Sequence, residues 1–338
     1  MQAVVIAGGL GTRLRPLTYT RPKPLIPLLN RAMVLHVLDR LPREVDEVIL
    51  PVNYMLDRIR EFFEENDVGR PVRIVEEPTP LGTGGALKNV EPLIKGRFLV
   101  FNGDVISSVN VSDMIEHHEK SGGIATIALW EVEDPSAFGA VDLRQDSRIA
   151  RFVEKPEKGK APSGLINAGV YVFERDILSF IPGGRQVSME REVFPKLTRR
   201  GLYGYKFEGY WADAGTLKNY LRVMKMLLAS EGTSVNRSAK IGGTARIEKP
   251  VFIGRGCAIE GTVGPNASLG TGCRIEGGTV VNSALLDDVV VHRDAAVVDS
   301  IVGEGCRIGP RSSITGSIVG DGVTVKADRV MRRGQVKA

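Results

Sequence analysis

Aliphatic side chains recur every six residues at Val235, Ile241, Ile247, Ile253 and Ile259, and this period constrains the fold of the 338-residue chain more than any other feature. After a four-residue step it resumes at Val263, Leu269 and Ile275, and it returns at Ile308 and Ile314, with Gly, Asn, Ser and Thr filling the gaps. A helix repeats near 3.6 residues and a strand at two, so neither accounts for a period of six. A left-handed β-helix does, because each coil turns three short strands and stacks one inward aliphatic residue from each on the coil below. A β-sandwich is the plainer alternative, and it leaves the unbroken five-fold spacing unexplained. The pattern predicts about five coils. The three cysteines, Cys257, Cys273 and Cys306, each stand in Gly-Cys-x-Ile. With no CxxC and no histidine cluster beside them, they read as small buried fillers at equivalent points of the repeat. A solenoid leaves its ends and flat faces available for packing, so a homo-oligomer with the β-helix at the interface is expected.

The preceding residues have a different rhythm. Val4–Ile6, Glu47–Val52, Val72–Val75 and Phe98–Phe101 read as strands, and Met33–Leu41 and Leu56–Glu64 as helices. Such alternation predicts an α/β domain with a mostly parallel sheet covered by helices, whose ligands bind beyond the carboxyl ends of the strands. The expected division is a catalytic domain over 1–228, a linker over 229–234 and a β-helix over 235–330. No apolar stretch approaches the roughly 20 residues of a bilayer span, and Met1–Ala7 is too short for a signal peptide. The expectation is therefore a cytoplasmic protein without a membrane partner. The formal net charge is +5, and Arg13, Arg15, Arg21, Lys23 and Arg31 all precede the first acidic residue, Asp39. Such a segment concentrates an anionic ligand. No basic run is interleaved with aromatics, which argues against nucleic acid.

The glycine loop comes directly after the first strand: Ala7-Gly8-Gly9-Leu10-Gly11-Thr12-Arg13-Leu14-Arg15-Pro16, then Pro22-Lys23-Pro24. Backbone N–H groups of such a loop close on phosphates. No Gly-Lys-Ser/Thr follows, so it is not a Walker loop, and the third glycine of a dinucleotide fingerprint is missing. The run resembles the signature of the sugar-1-phosphate nucleotidyltransferases, the nucleotide-sugar pyrophosphorylases. Nearly the whole chain shares the resemblance, which implies a Rossmann-like nucleotidyltransferase domain followed by the β-helix.

That resemblance implies a reaction between two anions: a sugar phosphate attacks the α-phosphorus of a nucleoside triphosphate, and pyrophosphate leaves. Cations and a metal are the usual answer to the accumulating charge. Carried over residue by residue, Gly8, Gly9, Gly11 and Thr12 hold the nucleotide, and Arg13 and Lys23 act on its phosphates. Asp104, in Asn102-Gly103-Asp104, and Asp213, in Trp211-Ala212-Asp213, hold Mg²⁺, the implied cofactor. The family usually has a bulkier residue where Ala212 stands. On the sugar-phosphate side are Gly139, Glu154 and Lys155 of Glu-Lys-Pro, and Asn167 of Asn-Ala-Gly.

The base is read, on the same resemblance, by Glu77, Gly82 and Thr83. Relatives that use uridine or thymidine nucleotides commonly have glutamine where Glu77 aligns. A carboxylate only accepts hydrogen bonds, so it fits the neighbouring N1–H and N2–H₂ donors of guanine and repels a pyrimidine carbonyl. The competing reading has Glu77 in solvent and Glu76 or the backbone reading the base. Val187–Pro195 and Gly209-Tyr210-Trp211 resemble the guanylyltransferase branch that uses mannose 1-phosphate, so GTP and that sugar phosphate are the favoured partners. Glucose 1-phosphate with UTP or dTTP is the runner-up. From other classes come a non-catalytic regulatory subunit that binds nucleotide sugars and a bifunctional enzyme with an acyltransferase tail. The last would need a histidine base, and the tail offers only His292. His36, His117 and His118 read as helix-face residues without a special role.

Overall fold

A computed structural model describes residues 1–337. The chain packs as two compact units, one of Met1–Leu10 and Val34–Trp211, the other of Gly11–Met33 and Ala212 onward.

The first unit is built on a nine-stranded mixed sheet. Its strands are β1 (Gln2–Ile6), β2 (Glu47–Val52), β3 (Val72–Glu76), β4 (Phe98–Asn102), β5 (Ala125–Glu131), β6 (Gly139–Leu143), β7 (Ile149–Glu154), β8 (Leu165–Phe173) and β9 (Leu202–Lys206). The order runs β7-β6-β8-β4-β1-β2-β3, with β5 pairing β8 and β9 pairing β5. Strands β4, β1, β2 and β3 are mutually parallel, the part that the β/α alternation foretells. Beyond β4 the sheet turns antiparallel, apart from the parallel pair β5 and β9, because β6 and β7 close a hairpin and β8 runs back against β4, β5 and β6. A hairpin needs no crossover helix, so the helical period that marks parallel strands is missing there.

Helices follow the sequence closely. The first, α1, is confined to Met33–Leu38, shorter than its apolar run. Helix α2 (Leu56–Glu65) buries Ile59 and pairs Arg58 with Glu61 and Arg60 with Asp57 on its exposed face. Helix α3 covers Gly82–Asn89. Helix α4 (Val111–Ser121) is capped by Asn110, whose side chain accepts from Asp113 N, and it ends at Gly122 in the left-handed conformation. His118 on α4 is a core residue, not a surface one: it is 1% exposed and held between Thr126 Oγ1 and Glu174. Phe98, Tyr171, Phe173 and Phe194 of the short helix α5 (Phe194–Leu197) stack in the core between β4, β8 and α5.

In the second unit, α6 (Leu217–Glu231) is capped by the Thr216 hydroxyl, which accepts from Asn219 N. The helix takes in residues 229–231, so the connection to the first coil is shorter than the polar composition implies. Three parallel stacks of seven, six and six short strands follow, the expected left-handed β-helix from Ser234 to Val336. It is longer than about five coils because later coils drop one or two residues and lose the six-residue period. Ile241 pairs with Ile259 and Ile259 with Ile275, then Val291, Ile308 and Val325 continue the same stack at changing spacing. Asn282, Asp288, Asp294, Asp299, Arg311 and Asp328 lie in the left-handed region, where tighter corners are turned. Cys257, Cys273 and Cys306 are fully buried, each Sγ donating to a carbonyl of the next coil.

No helix among the described residues is long and apolar enough to cross a membrane.

Candidate functional site

In the first unit the expected nucleotide residues gather where β1 and β3 end. Glu77 directly follows β3 and is 4% exposed, whereas Glu76 faces solvent. Its Oε2 accepts from Leu81 N at 3.3 Å, and its Oε1 is buried without a partner. Burial pushes the Glu77 carboxyl above the usual carboxylate range, and the Leu81 bond opposes the shift. Gly8 is placed against it: a Cβ there would stand 3.0 Å from Glu77 Oε1. Gly9 has open space above its Cα, leaving its backbone accessible.

Gly82 and Thr83 open α3. Gly82 has φ +72°, and a Cβ on it would lie 2.6 Å from the Val187 carbonyl oxygen, so both conformation and space demand glycine. That carbonyl accepts from Gly84 N at 2.9 Å and Gly85 N at 3.3 Å. The Thr83 hydroxyl is engaged by the protein: it donates to Glu190 Oε2 at 2.7 Å and accepts from Met189 N at 2.9 Å.

The sugar-phosphate candidates meet at the antiparallel end of the sheet. Gly139 starts β6, and a Cβ there would strike the Phe152 ring at 2.5 Å and Glu154 Oε2 at 3.0 Å. Glu154 ends β7; burial raises its pKa, and the nearby Glu190 adds to the rise. Lys155 is exposed and lies at φ 48°, a conformation a lysine rarely adopts, with Nζ 3.9 Å from Glu154 Oε1. Strain of this kind collects at functional positions. Asn167 on β8 donates from Nδ2 to the Tyr171 hydroxyl at 3.0 Å and accepts at Oδ1 from Gly169 N at 3.0 Å. Trp211 is 4% exposed and donates from Nε1 to Ala168 O at 2.9 Å. Asp104 lies just past β4, after Gly103, whose N donates to Ile6 O.

Glu190 escaped the sequence reading as a site residue. It lies in a wide helical turn, Met189–Val193, where Phe194 N bonds Met189 O five residues back. Ser188 Oγ and Thr83 Oγ1 both donate to its Oε2 at 2.7 Å. Helical turns widened in this way often mark functional sites. Only the Ser-x-Glu spacing hinted at it, and that spacing is common. Asn102, two residues before Asp104, was also missed; its Oδ1 is buried without a partner.

Arg13, Lys23 and Asp213 belong to the second unit. Gly11, at φ +59°, turns the loop into a tight turn, Thr12–Leu14, with Leu14 N bonded to Gly11 O at 2.9 Å. A Cβ on Gly11 would stand 2.7 Å from Thr18 Cγ2 and 3.2 Å from Lys23 Cβ, so the glycine lets the two arms of the loop close together. Thr12 and Arg13 are exposed while Leu14 is fully buried, which anchors the turn and leaves the guanidinium at the surface. Lys23 begins a further such turn, held between Pro22 and Pro24. Gly215 joins Arg13 to Asp213: a Cβ there would lie 2.7 Å from Arg13 Nη2 and 2.9 Å from Asp213 Oδ1. Asp213 Oδ1 accepts from Gly215 N at 3.0 Å and Oδ2 from Asn219 Nδ2 at 2.7 Å. His292, the acyltransferase candidate, pairs with Glu276 at 2.8 Å on an exposed corner.

A glycine loop directly after β1 and a buried carboxylate at Glu77, on a mixed α/β sheet, are the features of a nucleotide-dependent transferase. Residues 2–230 match the family Nucleotidyl transferase, and residues 260–337 match the GMPPB C-terminal domain. The chain belongs to the nucleotidyl transferase family. It is 36% identical to a mannose-1-phosphate guanylyltransferase of Mycobacterium tuberculosis, over 98% of this chain and 83% of that protein. With mannose-1-phosphate guanylyltransferase 1 of Arabidopsis thaliana it shares 33% identity, over 99% of this chain and 95% of that protein. Among solved structures it is similar to HddC from Yersinia pseudotuberculosis complexed with GMP-PN, at 28% identity and a TM-score of 0.56, covering 66% of this chain and 98% of that one.

Proposed function

We propose that the chain transfers a guanylyl group from GTP to mannose 1-phosphate, forming GDP-mannose and releasing pyrophosphate. In this reading residues 1–228 act as the catalytic domain and 235–330 as the β-helix domain. The observation that carries the choice of base is Glu77: a buried carboxylate with one oxygen bonded to Leu81 N and the other unpaired. Leaving a buried acceptor unpaired is costly, and the adjacent N1–H and N2–H₂ donors of guanine would relieve it. The 3-position N–H of a pyrimidine stands between two carbonyls, which the carboxylate would repel. Gly8, Gly9, Gly11, Thr12, Gly82 and Thr83 complete the nucleotide site. Gly139, Glu154, Lys155 and Asn167 bind the sugar phosphate, and the names of the relatives support mannose as its sugar.

The chain's own part in the chemistry is electrostatic. Arg13 and Lys23 neutralise the triphosphate and the departing pyrophosphate, and Lys155 holds the attacking phosphate. Among the described residues no group of three or more His, Cys, Asp or Glu side chains surrounds one point. We propose Asp104 and Asp213 as the carboxylates for a Mg²⁺ whose remaining ligands would be phosphate oxygens and water. Each Asp213 oxygen accepts a single hydrogen bond, so lone pairs remain for an ion. Bound there, Mg²⁺ would supply charge neutralisation at the phosphates. We also propose a homo-oligomer formed through the β-helix, whose first coils leave Val235 and Ile241 42% and 44% exposed.

Pyrophosphate release, with each of GTP, UTP, dTTP, ATP and CTP paired with mannose 1-phosphate and with glucose 1-phosphate, tests the reading. Turnover confined to GTP with mannose 1-phosphate is expected. Turnover with UTP or dTTP instead would overturn the role of Glu77, and none with any pair would favour a regulatory subunit.

Glu77→Gln is expected to raise the KM for GTP about 10- to 100-fold, since a hydrogen bond to a charged group contributes roughly 1.5–3 kcal/mol. The wild-type KM should rise as pH falls, because the protonated carboxyl turns a donor toward guanine donors. As burial raises the Glu77 pKa, the rise should begin at a higher pH than an ordinary carboxylate would give. A raised folded pKa makes the ionised group a stability cost as pH increases through it, so the ligand-free Glu77→Gln variant should unfold at a higher temperature at neutral pH. A flat wild-type pH profile, or an unchanged GTP KM in the variant, would remove Glu77 from the base site.

A further inference from the structure

We infer that Arg21 is a positioning residue that staples the loop carrying Arg13 and Lys23 to one corner of the β-helix, so that the solenoid sets where those two cations stand. The inference rests on the proposed roles of Arg13 and Lys23.

Residues 11–33 hold little regular structure of their own, only tight turns and a two-residue hairpin pairing Pro27–Leu28 with Arg31–Ala32. The loop is held instead along a track on the solenoid. Four coils turn one corner through Leu/Ile/Val-Gly, with Gly254, Gly270, Gly303 and Gly320 at equivalent points, and Leu286 takes that place in the coil between Gly270 and Gly303. Two of them meet the loop: a Cβ on Gly254 would stand 2.9 Å from Asn30 Nδ2, and one on Gly320 3.1 Å from Pro16 Cγ. Asn30 Nδ2 also donates to Thr271 Oγ1 at 3.3 Å. The contacts thus run from the Gly254 coil to the Gly320 coil.

The same corner carries a column of carboxylates. Asp287, Glu304 and Asp321 are spaced 17 residues apart, one per coil. Arg21 reaches into this column, its Nη2 donating to Asp321 Oδ2 at 2.7 Å and to Glu304 Oε2 at 3.0 Å. The Thr20 hydroxyl donates to the same Asp321 oxygen. Asp321 Oδ1 is fixed in turn by Glu304 N at 2.8 Å. The side chains of Arg21 and Asp321 are 19% and 17% exposed, so this is no surface pair screened by water. Burial pushes the Asp287 carboxyl up, the nearby Glu304 adds to the shift and Arg21 opposes it. Lys23 follows Arg21 by two residues, and Arg13 is joined to the same segment through the Gly11–Thr18 closure, where Thr18 Oγ1 donates to Gly11 O at 3.1 Å. Loosening the staple therefore moves both cations while removing neither.

The full-length protein with Arg21→Gln, and separately with Asp321→Asn, tests this. Asparagine keeps an acceptor for Glu304 N and removes the charge that Arg21 meets. Two readouts are needed: the kinetics of pyrophosphate release, and amide hydrogen exchange followed peptide by peptide. Both variants are expected to lose between about tenfold and 10²-fold in kcat, the size of effect a misplaced catalytic group produces. The KM for the sugar phosphate should hold. Exchange across 11–33 should accelerate while that of β4 stays as in the wild type, and Arg21→Lys should recover most of the activity. Wild-type kcat in both variants, or unchanged exchange across 11–33, would overturn the inference. So would a loss spread evenly over kcat, KM and exchange throughout the protein, which marks general destabilisation. If the wild type itself turns over no substrate pair, the proposed function fails, and the exchange data decide separately whether Arg21 holds the loop.

Discussion

Arg13→Ala is expected to lower kcat about 10³-fold or more, the scale on which an arginine meeting transition-state phosphate charge contributes to phosphoryl transfer. The structure gives the reason for so large a loss. Leu14 is fully buried and Gly11 sets the turn, so the arginine is carried on an anchored loop with its guanidinium pre-placed over Gly215. A pre-placed cation spends nothing on reorganisation as charge develops on the leaving pyrophosphate. Alanine removes no buried contact, so the melting temperature should hold within a few degrees while turnover collapses. Arg13→Lys keeps the charge and loses the planar fork, and should recover only part of the rate. Single-turnover pyrophosphate release at saturating GTP and sugar phosphate measures the step directly. A loss of less than about tenfold would mean that Arg13 does not meet the transferring or leaving phosphates.

Asp213→Asn is expected to cost about 10²- to 10³-fold in kcat, the several kcal/mol that a metal supplies in charge stabilisation. Two effects add here. The substitution removes one of two proposed metal carboxylates, and it turns an amide NH₂ toward one of two donors, Gly215 N or Asn219 Nδ2, that now share the carboxylate. Asn219 can flip to accept, whereas the Gly215 amide cannot, so the new side chain will keep its oxygen on Gly215 and present its nitrogen to Asn219. The fold should survive while metal affinity falls, and raising the Mg²⁺ concentration should restore part of the rate. Asp104→Asn should behave alike. Full activity in either variant, or a loss that added metal leaves untouched, would remove that aspartate from the metal set.

Much of this was legible in the chain before any coordinates. The six-residue aliphatic period required a solenoid, because no other regular structure points one side chain inward at that interval. Cys257, Cys273 and Cys306 read as fillers, and their burial follows from standing at one point of the repeat. The strand-then-glycine run pointed to a candidate phosphate loop, since closely spaced backbone N–H groups tolerate no side chain. Glu77 was singled out by its residue type, although Glu76 beside it was equally acidic.

Tertiary structure decided what local pattern does not encode. Glu76 and Glu77 differ in burial because alternate residues leaving β3 point to opposite faces, and which face meets Gly8 depends on β2 lying between β1 and β3 in the sheet. Glu190 acquires its partners only because the turn at Met189–Val193 packs against the start of α3, more than a hundred residues earlier. The antiparallel half of the sheet escaped because hairpins carry no helical period, and the later coils because one dropped residue per turn shifts the repeat out of phase. Arg21 could have been any cation in a basic segment. Its partners lie some 300 residues away along the chain, stacked by a solenoid whose coil length alone brings Glu304 and Asp321 into line. Short-range order is written in the spacing of side chains. The pairing of charges across hundreds of residues is not, because it depends on which surfaces the completed fold brings together.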